Sequence, residues 1–303
     1  MAKGLREIKN RIRSVTNTGQ ITRAMQLVAS SKMKRAQESA MAGRPYANLL
    51  SRILATALRG QSTADLDMGK HPLLMAREVK TRGILLVATD KGLCGGLNSN
   101  LFRFVNKEIP AGTPARFYVV GKKAAQNAAR MRRDLVAEFT VSDRVDFSEV
   151  RPVGEFLMKE FLEGKIDTVE IVISQFYNTM IQKPALYSLL PLDHFEEKFN
   201  AQKEKMSGAD NAPLIEDDRE MQFSPSAKEI FKGLPALFFK QLLYQALLEA
   251  KASEQSARMV AMKAATDNAK NLVDSLSLEY NKARQAAITN EINELAASAS
   301  ANK

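Results

Sequence analysis

Residues 252–295 read ASEQSARMVAMKAATDNAKNLVDSLSLEYNKARQAAITNEINEL, and neither proline nor glycine occurs anywhere from Ala236 to Lys303. Ala269, Leu272, Leu276, Tyr280, Ala283 and Ala287 recur at intervals of three and four, which places them on one helical face. The stripe then shifts by one position and resumes as Ile288, Ile292, Leu295 and Ala299. A helix of about 75 residues rising 1.5 Å per residue reaches roughly 110 Å. A compact chain of 303 residues is only roughly 50 Å across, so this helix is expected to project from its own globule.

The opposite end has the same character. Leu5, Ile8, Ile12 and Val15 are spaced by three and four, Ile21, Met25 and Val28 continue the pattern, and Ala29, Met33, Ala36 and Ala40 form a neighbouring stripe. This predicts a helix over about 4–58. Gly19 costs it roughly 1 kcal/mol relative to alanine, and Pro45 cannot donate to the preceding turn, so a bend is expected near residues 43–45. Two apolar stripes of such length bury themselves most simply on each other as an antiparallel coiled coil. A seam with so many alanines buries little area per residue, so a sleeve of partner protein is expected around it.

Between the helices the periodicity changes. Residues 82–88, 115–121 and 168–173 are short apolar runs with the look of buried strands, and helices are expected near 97–108, up to about 132, and over 150–162. Strands alternating with helices predict an α/β domain with a mainly parallel sheet. The expected partition is an N-terminal helix over 1–60, an α/β domain over 75–225 and a long C-terminal helix over 226–303. Within the middle segment, 198–217 reads as a polar loop and 219–223 as a further strand.

Composition narrows the function classes. The net charge is +10, yet residues 1–60 hold twelve Lys or Arg against two Asp or Glu, so the basicity belongs to one end. No apolar run is long enough for a membrane span, and the opening MAKGLREIKNRIR has no apolar segment behind it, unlike a secretory signal. A single cysteine, Cys94, excludes an internal disulfide framework, and two distant histidines, His71 and His194, do not suggest a zinc site. A soluble protein of a reducing compartment is expected.

Catalytic chemistry is hard to assemble from these residues. Asp90-Lys91-Gly92-Leu93-Cys94-Gly95-Gly96-Leu97-Asn98 follows a strand and offers amides that suit an anion. It matches neither GxGxxG nor GxxxxGK[ST], so a structural turn is the plainer reading, with Cys94 a small buried or interfacial thiol. Glu216-Asp217-Asp218 reads as a solvated acidic turn, and His194 as structural or exposed. Lys3, Arg6, Lys9, Arg11, Arg13 and Arg23, followed by Lys32, Lys34 and Arg35, suit a phosphate backbone, acidic loops of a protein, or simple solvation. Without tryptophan or interleaved aromatics, nothing supports a base-stacking platform.

The two ends together resemble a known family. IKNRIRSVTNT at 8–18 and ITRAMQLVASSKMKRAQ at 21–37 are similar to the N-terminal helix of ATP synthase gamma subunits; RPYA at 44–47, DKGLCGGLN at 90–98 and the 252–295 segment fit the same family. The resemblance covers essentially the whole chain in order. It implies a central-stalk rotor with no active site and no cofactor of its own: an antiparallel coiled coil inside an alpha3-beta3 ring, and a Rossmann-like α/β domain near epsilon and the membrane c-ring. Proton flow through the c-ring then drives the beta-subunit catalytic sites, and ATP hydrolysis drives proton pumping in reverse.

Carried over position by position, the resemblance implies a rotor–stator interface. Met25 matches the methionine packed near the acidic lever loop of beta, and Arg258 the arginine of the SEQ-ARM segment. Arg284, Gln285 and Thr289 match residues in polar contact with beta loops, while Glu291 and Glu294 match acids of the terminal signature. Two departures stand out: Ala297-Ser298 replaces the usual glycine-alanine pair, and Gly19 replaces a larger side chain. The paired cysteines of the chloroplast redox switch are missing. The implied setting is the cytoplasmic side of a bacterial inner membrane, as a peripheral subunit without nucleic acid. The competing reading from the residues alone is a basic coiled-coil protein that binds nucleic acid.

Overall fold

The computed structural model describes residues 2–59, 71–192 and 227–301. In chain order they form α1 (Ala2–Arg59), β1 (Arg82–Val87), α2 (Leu97–Glu108), β2 (Ala115–Val120), α3 (Lys122–Arg130), β3 (Asp134–Phe139), α4 (Phe147–Leu162), β4 (Thr168–Phe176), β5 (Gln182–Leu190) and α5 (Ala227–Ala301). The polar loop and strand read over 198–223, with Glu216–Asp218 and His194, lie outside the described residues. The chain divides into two compact units. One combines Met1–Ala29 with Arg258–Lys303, and the other is Ser30–Ala257.

In the first unit, α1 and α5 run antiparallel. Thr22 Oγ1 lies 2.8 Å from Thr266 Oγ1, and a Cβ on Gly19 would stand 3.3 Å from that of Ala269. On α1 the shielded positions step from Leu5 through Ile8, Ile12, Val15, Gly19, Thr22 and Gln26 to Ala29. On α5 they are Met262, Thr266, Ala269, Val273, Leu276, Tyr280, Ala283 and Ala287. Alternating steps of three and four are the heptad pattern of a coiled coil. This corrects part of the sequence stripe: Ile21, Val28 and Leu272 are 61%, 55% and 45% exposed, and Thr22, Ala29 and Val273 take the seam instead. A 3.5-residue repeat admits small and polar residues when helices approach closely, whereas apolarity alone pointed one position aside.

The second unit is a three-layer sandwich. Its sheet has the order β3-β2-β1-β4-β5, parallel except for β5. The central strands β1 and β4 are buried almost throughout, as continuous apolar runs require. Ile84, Leu86, Phe117 and Val119 face α2 and α3 through Leu101, Val105 and Ala124. Leu85, Val87, Tyr118, Ile171 and Ile173 face the other way, into a core with Leu157 and Phe161 of α4, Phe238 and Leu243 of α5, and Leu50 and Leu54 of α1.

In this unit α5 is buried on nearly every side. Gln245, Glu249, Lys251, Ser253, Glu254, Gln255 and Ser256 are all buried with their apolar neighbours, which explains why ASEQ shows no clean apolar stripe. Gly121 is fixed by the sheet: its φ is +93°, and a Cβ would lie 2.3 Å from the Ala88 carbonyl oxygen.

Candidate functional site

Parallel α/β sheets bind ligands in the crevice beyond the carboxyl ends of their strands, where the strand order reverses. In this sheet that point lies between β1 and β4. The loop after β1 is tied down internally. Thr89 Oγ1 donates to the Lys91 carbonyl at 2.7 Å, and Asn98 Nδ2 donates to Thr89 Oγ1 at 2.7 Å and approaches Cys94 Sγ at 3.6 Å. Cys94 is buried. Asp90 Oδ1 accepts from Lys122 N, 3.1 Å away at the start of α3. A carboxylate of this loop thus caps the start of α3, while the start of α2 has no side-chain cap.

What remains of the crevice is a void of about 10 Å³ among Thr89, Asn98, Ser174, Lys251 and Glu254. Such a volume is at the threshold for one water molecule. The loop is therefore a structural turn, and α5 fills the place a nucleotide would take. Among the described residues, no three His, Cys, Asp or Glu side chains gather as metal ligands.

The other candidate is the outward surface of the first unit. Ile21, Leu27 and Val28 on α1 are 61%, 64% and 55% exposed, and Leu278 and Ile292 on α5 are 58% and 59% exposed. Exposed apolar side chains along this helical pair suit an interaction surface. Arg6, Lys9, Arg11, Arg13 and Arg23 are exposed on the same stretch of α1. The second basic cluster differs, because Lys32 pairs with Asp143 at 2.5 Å and Lys34 with Glu38 at 3.8 Å. Two of the three cations in this second cluster already face carboxylates.

The expected interface residues all fall on these helices. Met25 and Arg258 are half-buried, on α1 and α5 respectively, while Arg284, Gln285 and Thr289 are exposed on α5. The last two form a local pair, with Thr289 Oγ1 donating to the Gln285 carbonyl at 3.0 Å. Following the register set by Thr22 and Thr266, Met25 stands roughly 30 Å along the stem from Arg284, at 1.5 Å per residue. The structure thus places them as two separate patches. Sequence reasoning passed over Leu93, 60% exposed at the tip of the 90–98 loop with φ +63°. A leucine between two glycine-containing steps was the only signal for it.

A family model described as ATP synthase matches residues 4–301. The ATP synthase gamma chain of Opitutus terrae is 50% identical over 293 residues, covering 96% of each chain. That of Methylacidiphilum infernorum is 42% identical over 299 residues, again covering 96% of each. The chain belongs to the ATP synthase gamma family. Solved structures share the fold of this gamma-family chain. A chain from the Euglena gracilis mitochondrial ATP synthase OSCP/F1/c-ring assembly superposes with a TM-score of 0.65 at 18% identity, covering 99% of this chain and 95% of that one. One from the Tetrahymena thermophila central stalk/c-ring gives 0.58 at 23% identity, covering 81% and 99%. Among the described residues no helix is long and apolar enough to cross a membrane.

Proposed function

We propose that this gamma-family chain is the non-catalytic central shaft of an F-type ATP synthase, turning inside an alpha3-beta3 ring. Its α/β unit meets epsilon and the c-ring on the cytoplasmic side of a bacterial inner membrane. The observation that carries this reading is the surface of the helical pair. Its seam is filled by small and polar residues such as Gly19, Thr22 and Thr266, while Ile21, Leu27 and Val28 face outward. Such a pair is incomplete by itself and suits a protein sleeve. Exposed cations on α1 suit acidic loops of that sleeve, and a carboxyl-end crevice closed by α5 suits a body without its own nucleotide.

Arg284 and Gln285 are exposed beside the seam positions Ala283 and Ala287, so replacing both with alanine leaves the helix pair folded. With alpha and beta subunits, the wild-type chain is expected to co-purify at one copy per three-plus-three ring. The Arg284→Ala/Gln285→Ala chain is expected to assemble equally but to support slower ATP hydrolysis and ATP-driven proton pumping. If the Arg284 contact becomes desolvated in the ring, its loss costs about 1.5–3 kcal/mol. Wild-type rates at normal incorporation would remove these residues from the interface, and failure of the wild-type chain to enter the ring would refute the shaft itself.

A further inference from the structure

Asp143 makes ion pairs to both terminal helices. Its Oδ2 lies 2.5 Å from Lys32 Nζ of α1, and its Oδ1 lies 3.9 Å from Lys251 Nζ of α5. Lys251 also meets Glu254 Oε2 at 3.3 Å, and these two side chains are 8% and 7% exposed. Lys32 and Asp143 are 41% and 47% exposed. All four residues belong to the Ser30–Ala257 unit. Asp143 sits in the 140–146 connection from β3 to α4.

That connection is held firmly. Val141 and Val145 are buried, Ser142 N donates to Glu149 Oε2 at 3.0 Å, and Val145 N donates to the Ser142 carbonyl at 3.3 Å. Val145 has φ +50°, a conformation that is a genuine outlier for a β-branched residue and persists only where the surroundings over-determine it. The loop is therefore braced from within, and Asp143, one of its two carboxylates with Asp146, pairs with lysines of both helices.

We propose that Asp143 is a rotational key: it positions α1 and α5 against the α/β sheet so that torque on the sheet reaches both helices without slip. Resting on the shaft reading, the argument comes from the directionality of the contacts. Close packing of apolar side chains holds α5 in the core, but the hydrophobic attraction behind it is non-directional, whereas an ion pair ties one helix to one loop. Turning α5 about its own axis carries Glu254 along with Lys251 but withdraws Lys251 from Asp143, so a buried cation loses its carboxylate on the β3–α4 connection, which is unfavourable. Asp143 couples that buried pair to Lys32, so neither helix turns independently of the loop.

The test uses ATP synthase assembled with the full chain carrying Asp143→Asn, Asp143→Glu or Lys32→Gln. Protons pumped per ATP are measured against a rising proton gradient, alongside amide exchange of α1 and α5 in the full chain. For Asp143→Asn, unloaded ATP hydrolysis should stay at the wild-type rate while pumping per ATP falls roughly two-fold under load, the scale of a half-exposed charged contact. Exchange should quicken around 30–40 and 248–257, and Asp143→Glu should restore both readouts. If Asp143→Asn does not assemble, Lys32→Gln decides, because a side chain at the rim is not needed for folding. Wild-type pumping at every gradient overturns the proposal, whether or not exchange changes, and so does reduced pumping with unchanged exchange. A wild-type chain that never pumps refutes the shaft reading instead, and the exchange comparison alone then decides whether Asp143 holds the helices.

Discussion

Glu160 gathers three donors at one buried carboxylate. Arg116 Nη1 and Tyr118 OH each donate to Oε2 at 3.0 Å, and Lys165 Nζ donates to Oε1 at 2.8 Å. Burial alone would raise its pKa. The hydrogen bonds from Lys165 and Tyr118, with the charges of Lys165 and Arg116, outweigh that and hold the carboxyl below its ordinary value. Burial and the same carboxylate push the Tyr118 phenol well above its usual range. Asp167 is a second case: burial opposes ionisation, but the amides of Thr81 and Lys80 and the Arg77 guanidinium favour it more strongly, and its pKa is lowered. A depressed folded-state value stabilises the fold above the unfolded-state pKa, about 4 for these carboxyls, and the contribution disappears as pH falls through the lower folded value. The denaturation midpoint of the sheet should thus fall steeply only below about pH 4. Glu160→Gln keeps the size but turns an amide toward two cations, so it should cost about 1.5–3 kcal/mol at neutral pH. It should also flatten the acid limb, read by urea titrations across pH. An unchanged acid limb in Glu160→Gln would assign the acid sensitivity to other carboxyls.

At the scale of elements, the coiled-coil seam makes the sharpest distinction. Leu276 is 4% exposed and Leu272 is 45% exposed, although the apolar spacing of the sequence put both on one stripe. Leu276→Ala should therefore cost about 2–3 kcal/mol through lost burial and a residual cavity. Leu272→Ala should change stability of the free chain by no more than about 0.5 kcal/mol. Amide exchange along α5 measures the difference, and equal effects would show that the seam does not follow Val273. The reason the sequence misled here is physical: Gly19, Thr22 and Thr266 are seam residues by position in the heptad, not by apolarity. The same limit hid two strands. β3 (DLVAEF) is a half-buried edge, and β5 (QKPALYSLL) carries Pro184, which an edge strand tolerates because one side of its ladder is open. Strands β1, β2 and β4, buried on both faces, were legible as unbroken apolar runs. Helices α1 and α5 were legible too, since no breaker interrupts α5 after Pro235 and α1 carries only Gly19, Gly43 and Pro45 inside its pattern. The proposed interface residues come only from family resemblance, for Arg284 and Gln285 have no partner-independent chemistry that spacing reveals. The closure of the crevice by Lys251 and Glu254 depends on tertiary placement of α5 and leaves no local signature.

For the molecule as a whole, the helical pair is proposed to act as a mechanical part, and mechanics can be tested separately from chemistry. Thr22 and Thr266 face each other with their hydroxyl oxygens 2.8 Å apart, close enough for Thr22→Cys and Thr266→Cys to form a disulfide of ordinary S–S length, about 2.05 Å. The native Cys94 is buried and belongs to the other unit, so it does not compete for this link. An internal disulfide joins α1 to α5 and leaves the pair free of its surroundings. Under oxidising conditions the assembled enzyme should hydrolyse ATP and rotate an attached probe at close to the reduced rate. A disulfide from a cysteine replacing exposed Asn281 to a beta loop joins the pair to its housing, and should stop multi-turn hydrolysis until a reductant is added. The comparison holds the chemistry constant, since both links are single S–S bonds on the same helical pair, and varies only what the pair is tied to. Continued multi-turn rotation with the beta link complete would show that this segment does not turn against the ring. Arrest by the Thr22–Thr266 link alone would show that α1 and α5 slide on each other during the cycle, and that the small, polar seam around Gly19 serves motion rather than close packing.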